Sequence, residues 1–193
     1  MKISLHVTFS AFLTVLASPA FAQSNTWTID PVHSQADFEI RHLSVSNVRG
    51  AITNVTGIVV WDPKNPSKNS VDAVLDATTI NSGNSYRDKD VKGESLFNVE
   101  KFPTLGFKST SVARSGKGLK VSGQLTLAGV TKTVVLDVVG PAAPQKGMQG
   151  GLVTGFEATT TIKRADFNFG SKYPNTVVSD DVKITLDIEM DQK

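Results

Sequence analysis

The sequence contains no cysteine. No disulfide can brace the fold, no thiolate can act as nucleophile or metal ligand, and no lipidated cysteine can anchor the chain. Histidine is scarce, with three in all, at positions 6, 33 and 42. Two histidines beyond the leader and no thiolate give zinc too few ligands, and only carboxylates remain for a hard cation such as calcium. No metal and no cofactor is expected. Neither sign of charge dominates: 20 Lys and Arg stand against 18 Asp and Glu. They are interspersed along the chain, so the basic stripe of a nucleic-acid partner is missing. No Gly-rich phosphate loop leads from a strand into a helix, and no G-x-S-x-G elbow is present. Ser, His and Asp occur without the spacing of a triad, so the chain does not read as an enzyme. Adjacent Asp180 and Asp181 read as a solvated turn.

Long apolar runs are also lacking, except near the start. Lys2 precedes an apolar stretch from Ile3 to Leu16, and Ala20-Phe21-Ala22 supplies an A-x-A cleavage site. Residues 1–22 read as a secretory signal peptide, which makes 23–193 the mature chain and the periplasm its expected location. About 170 mature residues form one domain, large enough to enclose a core or a ligand.

What fills that domain is alternation with a period of two. In Leu119-Lys120-Val121-Ser122-Gly123-Gln124-Leu125-Thr126-Leu127 the odd positions are apolar, and Val182 to Glu189 alternates without a fault. Strands of this kind are wet on one face and dry on the other. Further strands are expected at Thr26 to Asp30, Phe38 to His42, Val48 to Trp61, Val71 to Thr79, Leu105 to Val112, Val130 to Val139 and Leu152 to Ile162. Ala128-Gly129 is a short hairpin turn. A helix is predicted near Asn84 to Lys92, capped by Asn84 or Ser85, with a further short turn through Ser95 to Val99. The segments Asp62 to Ser70 and Gly140 to Gly151 read as loops. So many one-sided strands with so little helix must cover themselves, as a sandwich or a closed barrel. A barrel of about eight strands can be filled by side chains or hold one ligand, and periodicity leaves that choice open.

Specific residues carry more. His33-Ser34 with Phe38-x-Ile40-x-His42-Leu43, the pair Arg87-Asp88, Ser95-Leu96-Phe97-Asn98 before Lys101-Phe102-Pro103, and Lys108-Ser109-Thr110-Ser111-Val112 come in order. They are followed by Leu125-Thr126-Leu127-x-Gly129-Val130-Thr131-Lys132, Gly155-Phe156-Glu157-Ala158-Thr159 and Ile162-Lys163-Arg164-x-Asp166-Phe167. Together they resemble the YceI-like family of polyisoprenoid-binding periplasmic proteins, over essentially the whole mature chain. The resemblance implies an all-β, lipocalin-like antiparallel barrel of about eight strands with one or two short helices. It also implies a barrel that encloses a long-chain isoprenoid or related amphiphilic lipid and makes a homodimer reasonable; since such a lipid gains almost as much in a bilayer, a carrier exchanging cargo by transient membrane contact is expected. Two departures stand out: Ala128 where the family commonly has Asn before the hairpin Gly, and Phe102-Pro103 where Tyr-Pro is frequent.

Phe38, Ile40 and His42 share one strand face, which turns an imidazole inward either toward a ligand or toward a core partner. His33, beside Pro31, reads as structural. Phe97, Phe107, Leu125, Leu127, Phe156, Ile162, Phe167 and Phe169 are the candidate tunnel lining, and each could equally be ordinary core. Arg87, Lys108 and Arg164 are candidates to meet a polar head at the mouth. Lys108 reads better as an outward strand position, and Arg87 with Asp88 could instead pin the helix to the rim. The rival readings are an enzyme acting on an isoprenoid and a side-chain-filled barrel serving as a stress-response interaction module.

Overall fold

In the computed structural model, the residues described are 25–148 and 150–192. The expected signal peptide lies outside them. Eleven strands and one α-helix follow one another as β1 (Thr26–Ile29), β2 (Gln35–His42), β3 (Ser46–Ile52), β4 (Val55–Val60), β5 (Ser70–Asp76), α1 (Ser85–Lys92), β6 (Thr104–Ser115), β7 (Gly118–Leu127), β8 (Val130–Val139), β9 (Gln145–Lys146), β10 (Leu152–Lys163) and β11 (Val178–Gln192). Short 3₁₀ turns lie at Pro66–Lys68, Ala77–Thr79 and Arg164–Phe167.

Eight of the strands close an antiparallel barrel in the order β11, β1, β4, β5, β6, β7, β8, β10 and back to β11. The 15-residue β11 is the strand that makes closure work. One edge pairs with β10 along its length, from Lys163↔Asp181 to Leu152↔Gln192. The other edge is shared: Val178 to Asp187 pair with β2, and Met190 and Asp191 pair with β1. The β2–β3 hairpin therefore grows out of the ring as a flap, held at its base by the Ala51↔Asn81 bridge. Between β1 and β2 the chain breaks at Asp30 to Ser34, and buried Ser34 repairs the ladder: its hydroxyl donates to Glu189 O and accepts from Glu189 N.

Strand parity sets the interior. On β7, Leu119, Val121 and Leu127 are buried and Lys120 and Gln124 exposed, as alternation requires. The predicted strand Val48 to Trp61 is in fact two, because the chain turns at Thr53 and Asn54, with Asn54 at φ 58°. The expected strand at Val71 to Thr79 ends at Asp76 and passes into a 3₁₀ turn whose N-terminus the Asp76 carboxylate caps. A short β9 forms inside the predicted loop 140–151. Asp180 and Asp181 do not form a turn. They lie in the irregular start of β11, where Asp180 accepts from Ala165 N and Asp181 pairs with Lys163 at 2.8 Å.

Helix α1 has no buried residue, so its own amphipathicity does not fix it. Its ends do. Asn84 caps the first turn by accepting from Arg87 N, and Asp88 accepts from both Ser82 N and Ser82 Oγ. The segment after it turns irregularly through Ser95 to Val99 and brings Phe97 edge-on to Phe169, with ring centroids 4.7 Å apart. Helix and segment together cover the barrel end.

At the β7–β8 hairpin both turn residues are left-handed, Ala128 at φ 47° and Gly129 at φ 80°. A two-residue turn of this hand favours Asn followed by Gly, and a Cβ-bearing alanine there is strained. Ala128→Asn is expected to stabilise the protein by about 0.5–1 kcal/mol in urea unfolding, with an unchanged slope. A loss of stability would mean that the partly buried Ala128 methyl matters more than the turn.

A candidate binding void inside the barrel

A void of about 420 Å³ runs inside the barrel. That falls within the usual size of pockets for small molecules, roughly 300–1,000 Å³. Its wall draws on nearly every strand of the ring. Phe38, Ile40 and His42 of β2 line it, with Phe107 of β6, Leu125 and Leu127 of β7, and Phe156 and Ile162 of β10. Space is left because small residues, Ala36 and Ala73, also occupy inward positions of the wall. The apolar side chains surround a gap instead of meeting across it.

The two ends of the void differ. At one end its wall includes Trp61, Val112, Leu119 and Pro141, with Asn69 and Ser70 the polar members. Asn69 is buried, and its Oδ1 accepts from Asp62 N at 2.7 Å while Nδ2 has no partner. At the other end, under α1 and beside the β2–β3 hairpin, the wall turns polar: His42, Ser82, Arg87, Asp90 and Tyr173 lie there with Phe97 and Phe169.

Arg87 donates through Nε to Ser82 Oγ at 2.8 Å and through Nη2 to Ser82 O at 2.7 Å. It pins the helix and lines the void at once. Tyr173 donates its hydroxyl to Asp90 at 2.5 Å, and Lys172 stands 3.8 Å from the same carboxylate, which ties the loop before β11 to the helix. The His42 ring has neither a hydrogen bond nor an ion pair among the described residues. It is half-buried on the void's wall and keeps both nitrogens available.

Eleven of the twelve residues proposed from sequence as ligand contacts thus border one void, and the twelfth does not. Phe167 is buried at the end of the 3₁₀ turn Arg164–Phe167, packed in the core and not part of the void's wall. Strand alternation ends at Lys163, so no parity argument reaches this side chain. Arg164 also borders the void, but its guanidinium is already engaged by the chain around it. It is 4% exposed and donates to the carbonyls of Phe169, Gly170, Tyr173, Val178 and Ser179 and to Asn175 Oδ1. It organises the loop that carries Phe169 and Tyr173. Lys108 is exposed and pairs with Asp72 at 3.2 Å across neighbouring strands. Trp61, Asn69, Asp90 and Tyr173 were not singled out from sequence. For Asp90 and Tyr173 no local signal exists, since they meet across 83 positions of chain.

His33 is exposed, outside the void. Its Nδ1 lies 2.7 Å from Asp30 Oδ2 and 3.5 Å from Glu189 Oε1. The hydrogen bond to Asp30 raises the imidazole above its ordinary value, with the charges of Asp30 and Glu189 adding to it. The same bond, with a second from Val32 N, holds the Asp30 carboxyl below its usual range. The imidazolium contribution is complete below the unfolded histidine value and is lost as pH rises through the raised folded one. The carboxylate contribution is present above the unfolded aspartate value and is lost as pH falls through the lowered one. The pair is therefore fully formed between about pH 4 and about pH 6.5. Following the His33 ring protons by NMR should give a midpoint above that of an isolated histidine, returning toward it in Asp30→Asn. A midpoint indifferent to that substitution would break the pairing.

The match to a family model settles the membership: a YceI-like domain spans residues 27–190. The chain belongs to the YceI-like family. Relatives include a UPF0312 protein of Yersinia pestis, 36% identical over 159 residues covering 81% of this chain and 80% of the relative. A UPF0312 protein of Photorhabdus laumondii is 36% identical over 170 residues, 87% of this chain and 86% of its own. Among solved structures, the Campylobacter jejuni YCEI protein superposes with a TM-score of 0.70 at 28% identity, covering 79% of this chain and 90% of that one. Burkholderia cenocepacia BcnA gives 0.73 at 23% identity, covering 83% and 98%. A polyisoprenoid binding domain from Saccharophagus degradans, implicated in plant cell wall breakdown, gives 0.64 at 16% identity, covering 89% and 100%. The last two share the fold. For this YceI-like chain the fold is thus the closed barrel that the family resemblance implied, one of the two architectures its strands allowed.

Proposed function

We propose that this protein is an exported periplasmic carrier that holds a long-chain polyisoprenoid or related amphiphilic lipid along the barrel axis. The observation that carries the reading is the apolar void inside the barrel, walled by side chains from strands all round the ring and polar under the helix. The fold shared with a polyisoprenoid binding domain supports it. Burying a methylene is worth roughly 0.8 kcal/mol from water, so a chain of many carbons has ample drive to enter. A membrane offers it nearly the same gain, so loading is reversible and the carrier exchanges cargo with bilayers. Tunnel length and girth select the tail, while His42 and Arg87 at the polar end are placed to select the head.

Mass spectrometry of solvent extracts from the purified protein tests this. A long-chain amphiphile is expected near one per protein. Stripping it should lower the melting temperature, and adding isoprenoid at about 100 times its Kd should restore about 2.7 kcal/mol, or about 5–11 °C. No extractable lipid together with no thermal response would end the carrier reading.

A further inference from the structure

We propose that the tip of the β2–β3 hairpin is a docking element for a phospholipid bilayer, through which cargo passes by contact instead of crossing water. This rests on the carrier reading above and adds the place where exchange occurs.

Leu43, Ser44 and Val45 form the tip, with Leu43 51% and Val45 77% exposed. Two neighbouring apolar side chains thus stand in water at the end of a projecting flap. The backbone makes the choice of leucine stranger still. Leu43 sits at φ 48° and Ser44 at φ 59°, positions where a tight turn favours Asn or Gly and where a bulky apolar residue is an outlier. Folding gains nothing from a leucine there that asparagine would not supply better. Strain of this kind is retained where a surface has work to do.

The tip is also contiguous with the void's polar end. His42, the residue before Leu43, lines the void, as do Val177 and Val178, whose backbones pair with Leu43 and His42. One residue step separates the inner wall from the apolar tip. Beneath the tip, exposed Arg41 donates to Ser44 O at 3.1 Å and to Asn47 Oδ1 at 2.9 Å, and it has no ion pair among the described residues. Apolar side chains over a fixed, unneutralised cation match the acyl and phosphate layers of a bilayer surface. A protein groove would not require the cation. The cargo's chemistry adds the rest, because a long tail leaving through water loses the very gain that holds it, whereas a tip seated in the bilayer offers a continuous apolar path.

The double variant Leu43→Asn/Val45→Thr tests the proposal without damaging the barrel, since asparagine suits a left-handed turn. Wild-type and variant protein are loaded with a pyrene-labelled long-chain amide, and transfer to phosphatidylethanolamine and phosphatidylglycerol vesicles is followed by stopped flow. The wild-type rate should rise with vesicle concentration. In the variant it should drop at least tenfold with loading and melting temperature preserved. Met148→Asn is the control, because Met148 is fully exposed in the loop between β8 and β10. A wild-type rate independent of vesicle concentration, an equally fast double variant, or a slowing caused by Met148→Asn instead would each overturn docking at this tip. So would a variant that merely dissociates a dimer in sedimentation while transfer stays fast. Flotation of unloaded protein with the same vesicles separates the two readings. If no probe loads, the carrier fails, yet docking still requires more wild-type than variant protein to float.

Discussion

Replacing Phe156 by arginine is expected to empty the tunnel. Phe156 lies on β10 opposite Ile188 of β11, with its ring on the wall of the void. A guanidinium there faces apolar side chains and finds no carboxylate prepared for it. Taking a charge out of water costs several kcal/mol, so the group recruits water or blocks the void, and either outcome expels a hydrocarbon chain. Extracted lipid should fall below a tenth of the wild-type amount, equivalent to at least about 1.4 kcal/mol of binding. The ligand-dependent rise in melting temperature should vanish with it. Phe156→Leu, which keeps the wall apolar, should retain most of the cargo and serves as the folding control. Undiminished lipid in the arginine variant would show that the cargo lies elsewhere.

The largest loss of stability is expected from Arg164. Its planar fork gathers five carbonyls and one amide oxygen from the chain between Phe169 and Ser179, inside a site only 4% exposed. A lysine has three donors on a flexible stem and cannot span that arc. Arg164→Lys leaves several buried carbonyls without partners and should cost about 3–5 kcal/mol, a fall in melting temperature of about 6–20 °C. The effect should reach the tunnel as well. Phe169 and Tyr173 belong to the gathered loop and line the void, so weaker cargo retention should accompany the lower stability. A melting temperature within 1 °C of wild type would show that the loop holds itself.

These two residues also mark how far the sequence could be read. Phe156 was legible, because β10 alternates along its length and its partner strands alternate with it, so counting by two finds the inner face. Phe167 lies beyond the expected strand, in the 3₁₀ turn after Lys163, where counting by two gives no guide to the inner face. The carbonyl cage around Arg164 was not legible, because burial of a cation by backbone carbonyls leaves no complementary acid in the sequence to announce it. The break at Thr53 and Asn54 was hidden for a similar reason: Thr53 N is held by Thr79 Oγ1, 26 positions away. The void itself had no sequence signature. Alternation establishes which side chains point inward, whereas hollowness depends on the volumes of Ala36, Ala73 and their neighbours summed across a ring whose closure is a long-range event. The family resemblance, carried by residues, supplied what periodicity could not.

That closure has a consequence for how the molecule is born. The clasp of the ring, β11, is translated after every strand it fastens, and its partners β1 and β2 are the earliest described. A chain threaded through a membrane pore with its amino end leading must wait as an unzipped sheet until the fifteen residues of β11 arrive. On the export route proposed above, late clasping keeps the polypeptide threadable throughout its passage and postpones the formation of any sealed interior until after it.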